Sequence, residues 1–291
     1  QGGGRHRVRG FKANEMSVRS RVDVLDNVSG QPSILLHGFP ETSTMWANLM
    51  ERLADEGYCC FAPDQRGYSP NARPEGIEHY IYQDLVSDVV TLADELSFGN
   101  FHLIGHDWGS TIGWAIVSLY PERVHSWTAM SVPHMDAFRS ALADDPDQQT
   151  RSQYIAFFRK PELPEKVLTA NDLESLRTLW ASIPREQVEE YVTVFSKPSA
   201  LRAVLNWYRA NSFGLEDGYQ GPMFGPVSNP TLLIWGNRDI AIGRAAVERT
   251  KQYMKGPCRL VELDAGHWLI QEEPDRVHDE ILDHLRSNRI H

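Results

Sequence analysis

The stretch Phe101-His102-Leu103-Ile104-Gly105-His106-Asp107-Trp108-Gly109-Ser110 restricts the architecture of this chain more than any other. An apolar run of strand length ends in a glycine, a second glycine closes the turn, and an aspartate stands midway between them. A strand-to-helix turn this tight holds its central residue in unfavourable backbone geometry and tolerates little bulk on either side. Gly109 and Gly113 would also let the following helix, running through Tyr120, lie close against a sheet. The centre of such a turn is where a nucleophile is presented, and here that position holds Asp107.

The surrounding pattern supplies the sheet. Apolar runs ending in turns recur at Pro32–Gly38, Tyr58–Asp64 and Phe101–Gly105, with helical spacing between them in Met45–Asp55 and Tyr82–Leu96. Alternation of this kind predicts a mostly parallel sheet covered by helices on both faces, an α/β fold. After Trp127–Pro133 the rhythm breaks, and from about Pro133 to about Pro222 only helical patterns occur. Asn171-Asp172-Leu173-Glu174 offers a capping box to open one of those helices. Strand signals return in Thr231–Gly236 and Arg259–Leu263. The expected organisation is therefore a core formed by residues 1–132 and 223–291, interrupted by a helical cap at 133–222.

Composition narrows the partners. With 29 Lys and Arg against 39 Asp and Glu, the net charge of −10 argues against nucleic acid, whose phosphates want clustered cations. No window approaches the length of apolar chain that spans a bilayer. Cys59, Cys60 and Cys258 have neither a disulfide-framework nor a zinc spacing, and such sparse thiols suit a reduced, cytoplasmic setting. The chain opens Gln1-Gly2-Gly3-Gly4-Arg5 without an initiator Met, so processing of that end stays open. Oligomeric state is not legible.

Downstream of the elbow, Trp235-Gly236-Asn237-Arg238-Asp239 places an acid just past one strand, and Asp264-Ala265-Gly266-His267-Trp268 places a histidine just past the last. Asp264 is a second carboxylate close enough in sequence to orient His267. Upstream, His37-Gly38-Phe39-Pro40-Glu41 follows a strand end, where the Phe39 amide, with that of Trp108, would supply two oxyanion donors. With Asp64-Gln65-Arg66-Gly67-Tyr68-Ser69, these segments make the chain similar to the epoxide hydrolases of the α/β-hydrolase fold. In the cap, Tyr154-Ile155-Ala156-Phe157-Phe158 and Leu205-Asn206-Trp207-Tyr208-Arg209 resemble the family segments that carry two ring-opening tyrosines.

A carboxylate at the elbow has a chemical reason. A serine attacking a saturated epoxide carbon would leave an ether, whereas a carboxylate leaves an ester that water can cleave. The resemblance implies that Asp107 is alkylated by an apolar epoxide, that Tyr154 and Tyr208 protonate the departing oxygen, and that His267, oriented by Asp239, activates water. Phe39 and Trp108 would add apolar walls, and Trp46 and Trp180 pack in the core or line the same space. The implied chemistry needs no cofactor and no metal, and its product is a vicinal diol. Two alternatives remain at this stage. A haloalkane dehalogenase would share the aspartate, acid and histidine, although Phe39 offers no side-chain amide for a halide. A non-catalytic ligand receptor on the same fold would need none of the constellation to be aligned.

Overall fold

The computed structural model describes residues 14–21, 30–213 and 223–291. The amino terminus and the far cap boundary near Pro222 lie outside the described residues. Among the described residues seven strands form one sheet: β1 Val18–Arg21, β2 Gln31–Leu36, β3 Tyr58–Pro63, β4 Phe101–His106, β5 Val124–Met130, β6 Thr231–Gly236 and β7 Cys258–Leu263. Their spatial order is β1-β3-β2-β4-β5-β6-β7; β1 runs antiparallel to β3 and every other pairing is parallel. The α/β-hydrolase arrangement expected from the resemblance is the one observed, with β1 added as an edge strand that the apolar pattern did not announce.

On the core side the helices are α1 Ala47–Asp55, α2 Tyr82–Glu95 and α3 Trp108–Leu119. Between β5 and β6 the described elements are all helices: α4 Met135–Asp144, α5 Pro146–Arg151, α6 Gln153–Phe158, α7 Leu163–Leu179, α8 Arg185–Phe195 and α9 Pro198–Ala210. The core then resumes with α10 Arg244–Arg249, α11 Leu269–Glu272 and α12 Pro274–Arg286. Proline opens α5, α7, α9 and α12, where its missing N–H would have no helical partner in any case.

Burial explains the element types. Every residue of β4 and β6 is buried, as strands flanked on both sides and covered on both faces must be. The α1 helix buries Leu49, Met50, Leu53 and Ala54, one stripe at helical spacing. Two apolar clusters result. One lies under α1 and α12 and includes Trp46; the other joins α3 to the helices between β5 and β6 and includes Trp180. A Cβ at Gly109 would fall 1.9 Å from the Leu36 carbonyl oxygen, and one at Gly113 would fall 2.0 Å from the Trp127 ring. The glycines therefore let α3 rest directly on β2 and β5. Among the described residues no helix is long and apolar enough to cross a membrane. The three cysteines are free thiols.

The capping box expected at Asn171 is not formed. A capping residue sits in extended backbone with its side-chain oxygen accepting an amide, whereas Asn171, Asp172 and Leu173 take positive φ angles of 50, 54 and 62° and break α7 in two. The Asn171 side-chain amide instead donates to Glu174 at 3.0 Å. The sequence marks a discontinuity at the right place but not its geometry.

Candidate active site

The β4–α3 turn holds Asp107 at φ 54° and ψ −122°, a backbone conformation that side-chain-bearing residues seldom adopt. Strain of this kind persists only where its surroundings enforce it. A Cβ on Gly105 would strike the Gly109 carbonyl at 2.4 Å, and one on Gly38 would meet the Asp107 side chain at 2.3 Å. Two glycines thus close the turn, and a third lets the carboxylate lie against the loop after β2. Phe39 in that loop donates its amide to Asp107 Oδ2 at 2.9 Å. The Trp108 amide opens α3 and belongs to the helix's first turn, whose N–H groups have no partner within the helix. Of the two expected oxyanion donors, the Phe39 amide holds a carboxylate oxygen and the Trp108 amide follows Asp107 directly in the chain.

The other Asp107 oxygen faces His267, whose Nε2 lies 3.2 Å from Oδ1. On its far side, His267 Nδ1 is 3.0 Å from both oxygens of Asp239. Asp239 is fully buried and further secured: Oδ1 accepts from the amides of Ala241 and Ile242, and Oδ2 from the Ser131 hydroxyl at 2.6 Å. The rival orienter Asp264 is turned to solvent and pairs with Arg238 at 2.9 Å.

Charge follows from these contacts. Burial disfavours the imidazolium, but the Asp239 charge and the bonds to both carboxylates outweigh it, raising the His267 pKa well above its usual value. The converse holds for the acids. Burial opposes ionisation of Asp107 and Asp239, yet the imidazole holds both below the ordinary carboxylate range.

Three polar residues that the sequence reading passed over complete the cluster. Ser131, at φ 67° just after β5, touches both Asp239 and His267 Nδ1, the latter at 3.1 Å. His106 Nε2 donates to the His267 carbonyl at 2.8 Å, which fixes the tautomer and leaves Nδ1 as the acceptor. Burial lowers the His106 pKa to about 4, so this ring is neutral. Facing His106 Nδ1 at 3.6 Å is the fully buried Glu41, held by the Tyr191 hydroxyl and the Gln271 amide. Burial raises its pKa to about 7. Two of these residues adjoin motifs that the sequence does reveal, His106 beside Asp107 and Glu41 after Phe39-Pro40. Ser131 had a signal only in standing at the carboxyl end of a strand.

Above the carboxylate lie the two expected tyrosines. Tyr154, on α6, and Tyr208, on α9, have ring centroids 6.2 Å apart at 82°, and Tyr208 stands edge-on to both Trp108 and Phe39. Burial, and after it the Asp107 charge, pushes both phenols well above their usual pKa and keeps their protons in place. Asp107, His267, Tyr154, Tyr208 and Phe39 face one cavity of about 160 Å³ whose remaining walls are apolar. Trp46 lies away from it, packed beneath the sheet. Trp180 reaches the site indirectly, its indole donating to the Pro40 carbonyl at 3.0 Å. The structure thus brings Asp107, His267, Asp239, Tyr154, Tyr208, Phe39 and Trp108 into one region and leaves Trp46 outside it.

Comparison with known proteins gives the family. Residues 32–274 match the α/β-hydrolase-fold family. The chain is 32% identical over 280 residues to an AB hydrolase superfamily protein, YfhM, of Bacillus subtilis, covering 94% of this chain and 96% of that protein. It is 35% identical over 271 residues to mouse epoxide hydrolase 4, covering 89% and 74% respectively. Among solved structures, an epoxide hydrolase from metagenomes of hot environments superposes with a TM-score of 0.81 at 28% identity, over 92% of this chain and 94% of that one.

Proposed function

The chain belongs to the α/β-hydrolase-fold family and stands among its epoxide hydrolases, and on that premise we propose that it hydrolyses apolar epoxides to vicinal diols through an ester on Asp107. Asp107 Oδ1 attacks a ring carbon and a C–O bond forms there as the ring C–O bond breaks. The released alkoxide takes the phenol proton of Tyr154 or Tyr208. The Phe39 amide keeps Oδ2 as the carbonyl oxygen of the ester.

Alkylation then removes the Asp107 charge, and with it one of the influences holding the imidazole protonated, so the imidazolium releases its proton to solvent and regains one when the Asp107 carboxylate is restored. His267, oriented by Asp239, takes a proton from water as the water oxygen adds to Cγ of the ester. The oxyanion develops on Oδ2 beside the Phe39 amide, where removing one such donor slows a reaction by about 10²–10³-fold. The tetrahedral intermediate expels the diol oxygen, which receives the proton from His267. The proton left on the new carboxyl group restores the tyrosine. The observation that carries this reading is the pair of phenols that line one cavity together with a carboxylate that is itself backed by His267 and Asp239.

The test is a single turnover with enzyme in excess in water labelled with heavy oxygen. The oxygen added to the first diol comes from Asp107 and is unlabelled; a solvent-labelled first product would refute the ester. Conversion of haloalkanes with release of halide, while epoxides stay inert, would transfer the site to dehalogenation.

A further inference from the structure

Asp239 stands at the head of a short loop after β6, and that loop is gripped by a helix from another part of the chain. The amides of Ala241 and Ile242 hold Asp239 Oδ1 at 2.8 and 3.1 Å. One side chain of α5 then brackets the same stretch: Gln148 Nε2 donates to the Ala241 carbonyl at 2.8 Å, and its Oε1 accepts the Gly243 amide at 2.8 Å. Gln148 is fully buried and also donates to Ser152 Oγ at 2.9 Å. Three residues further along α5, the Arg151 guanidinium donates to the carbonyl of Asp239 itself. A Cβ on Gly243 would fall 2.7 Å from Asp147 Oδ2, so a glycine is what lets α5 lie against the loop.

We infer that Gln148 and Arg151 are positioning residues for the water-activating step: they fix the loop that presents Asp239 to His267, so that α5 governs the base through its acid. The inference rests on the reaction proposed above, in which Asp239 acts only after the ester has formed. Buried backbone groups do not stay unpaired. Without Gln148, the Ala241 carbonyl and the Gly243 amide must turn toward water, on the side where Ile240 is 59% exposed. That turn carries the two neighbouring amides off Asp239 Oδ1 and swings the carboxylate away from His267 Nδ1. Ring opening asks nothing of this loop, because it needs only Asp107 and the phenols. A mere anchoring role for α5 has the opposite signature: α6 follows it directly and bears Tyr154, so a loosened α5 would slow ring opening first.

Gln148→Met separates the two, since it keeps the length of the side chain but has no N–H and only a weak acceptor. Rapid quenching and mass spectrometry should find the ester on residue 107 formed as fast as in the unaltered protein. Its hydrolysis should be slower by roughly 10–100-fold, the scale of a small misplacement, with kcat and KM falling together. Arg151→Met, which removes one contact from a part-exposed side chain, should show the same split to a smaller degree, and it carries the measurement should the first variant fail to fold. Folded variants that hydrolyse the ester at the unaltered rate would overturn the inference, as would slower ester formation with unchanged hydrolysis. A His267→Gln variant without any adduct on residue 107, while the unaltered protein consumes epoxide, would defeat the reaction itself and the inference with it, a failure visible separately.

Discussion

His267 stands between two carboxylates, and the proposed reaction asks opposite things of it before and after Asp107 is alkylated. In the resting site its pKa is raised by Asp239 and by Asp107. Replacing Asp107 with Ala mimics the loss of charge that accompanies ester formation. The His267 pKa in Asp107→Ala should fall below that of the unaltered protein, as read from imidazole resonances across a pH titration. An unchanged titration would mean that the elbow carboxylate does not govern the base. The sign follows from charge: removing an anion 3.2 Å from Nε2 takes stabilisation away from the imidazolium. Asp107, His267 and Asp239 are legible in the sequence because each follows an apolar run and because their chain order matches the family's. Ser131 is not, since a serine at a strand end looks like any other until the neighbouring strand brings Asp239 within 2.6 Å of it.

Between elements, the placement of Tyr208 depends on how α9 is tied down. Asn211, buried just past the end of α9, accepts the Tyr82 amide at 2.8 Å and donates to the carbonyls of Tyr80 at 2.9 Å and Trp207 at 2.8 Å. The Trp207 indole adds a bond to the Arg66 carbonyl at 2.9 Å, and Arg159 Nε donates to the Tyr208 carbonyl at 2.9 Å. One amide side chain thus joins the helix bearing a proposed proton donor to the start of α2. Asn211→Ala would remove the hydrogen bonds to the Tyr82 amide and to the Tyr80 and Trp207 carbonyls, and such bonds contribute about 0.5–1.5 kcal/mol each. A loss of that size in urea unfolding is expected, with kcat reduced because Tyr208 is no longer held; unaltered stability would show that water replaces the bond. Strand and helix existence is legible here because apolar spacing is a local property. The break inside α7 and the antiparallel β1 are less so, because each is decided by what the segment packs against.

For the whole molecule, the buried Glu41 couples the site to stability. Its pKa rises from an ordinary 4.5 to about 7 on folding. The folded state therefore binds its proton more tightly than the unfolded chain does. The contribution is full below pH 4.5 and is lost as pH rises toward 7, and a shift of this size amounts to about 3 kcal/mol. Glu41→Gln keeps an acceptor for Tyr191 and Gln271 but does not titrate. Unfolding free energies at pH 5 and pH 8 should show the unaltered protein losing more stability than the variant by about that amount; equal losses would mean that the carboxyl is ionised throughout. Tyr191, the indole of Trp180 on Pro40 and that of Trp207 on Arg66 hold the helices between β5 and β6 against the loops after β2 and β3. The cavity beneath them is lined by Asp107 and reaches the surface at the exposed Ile240. A diol formed there exchanges apolar walls for water as it leaves, so its release is favoured by two hydroxyl groups that the parent epoxide lacked.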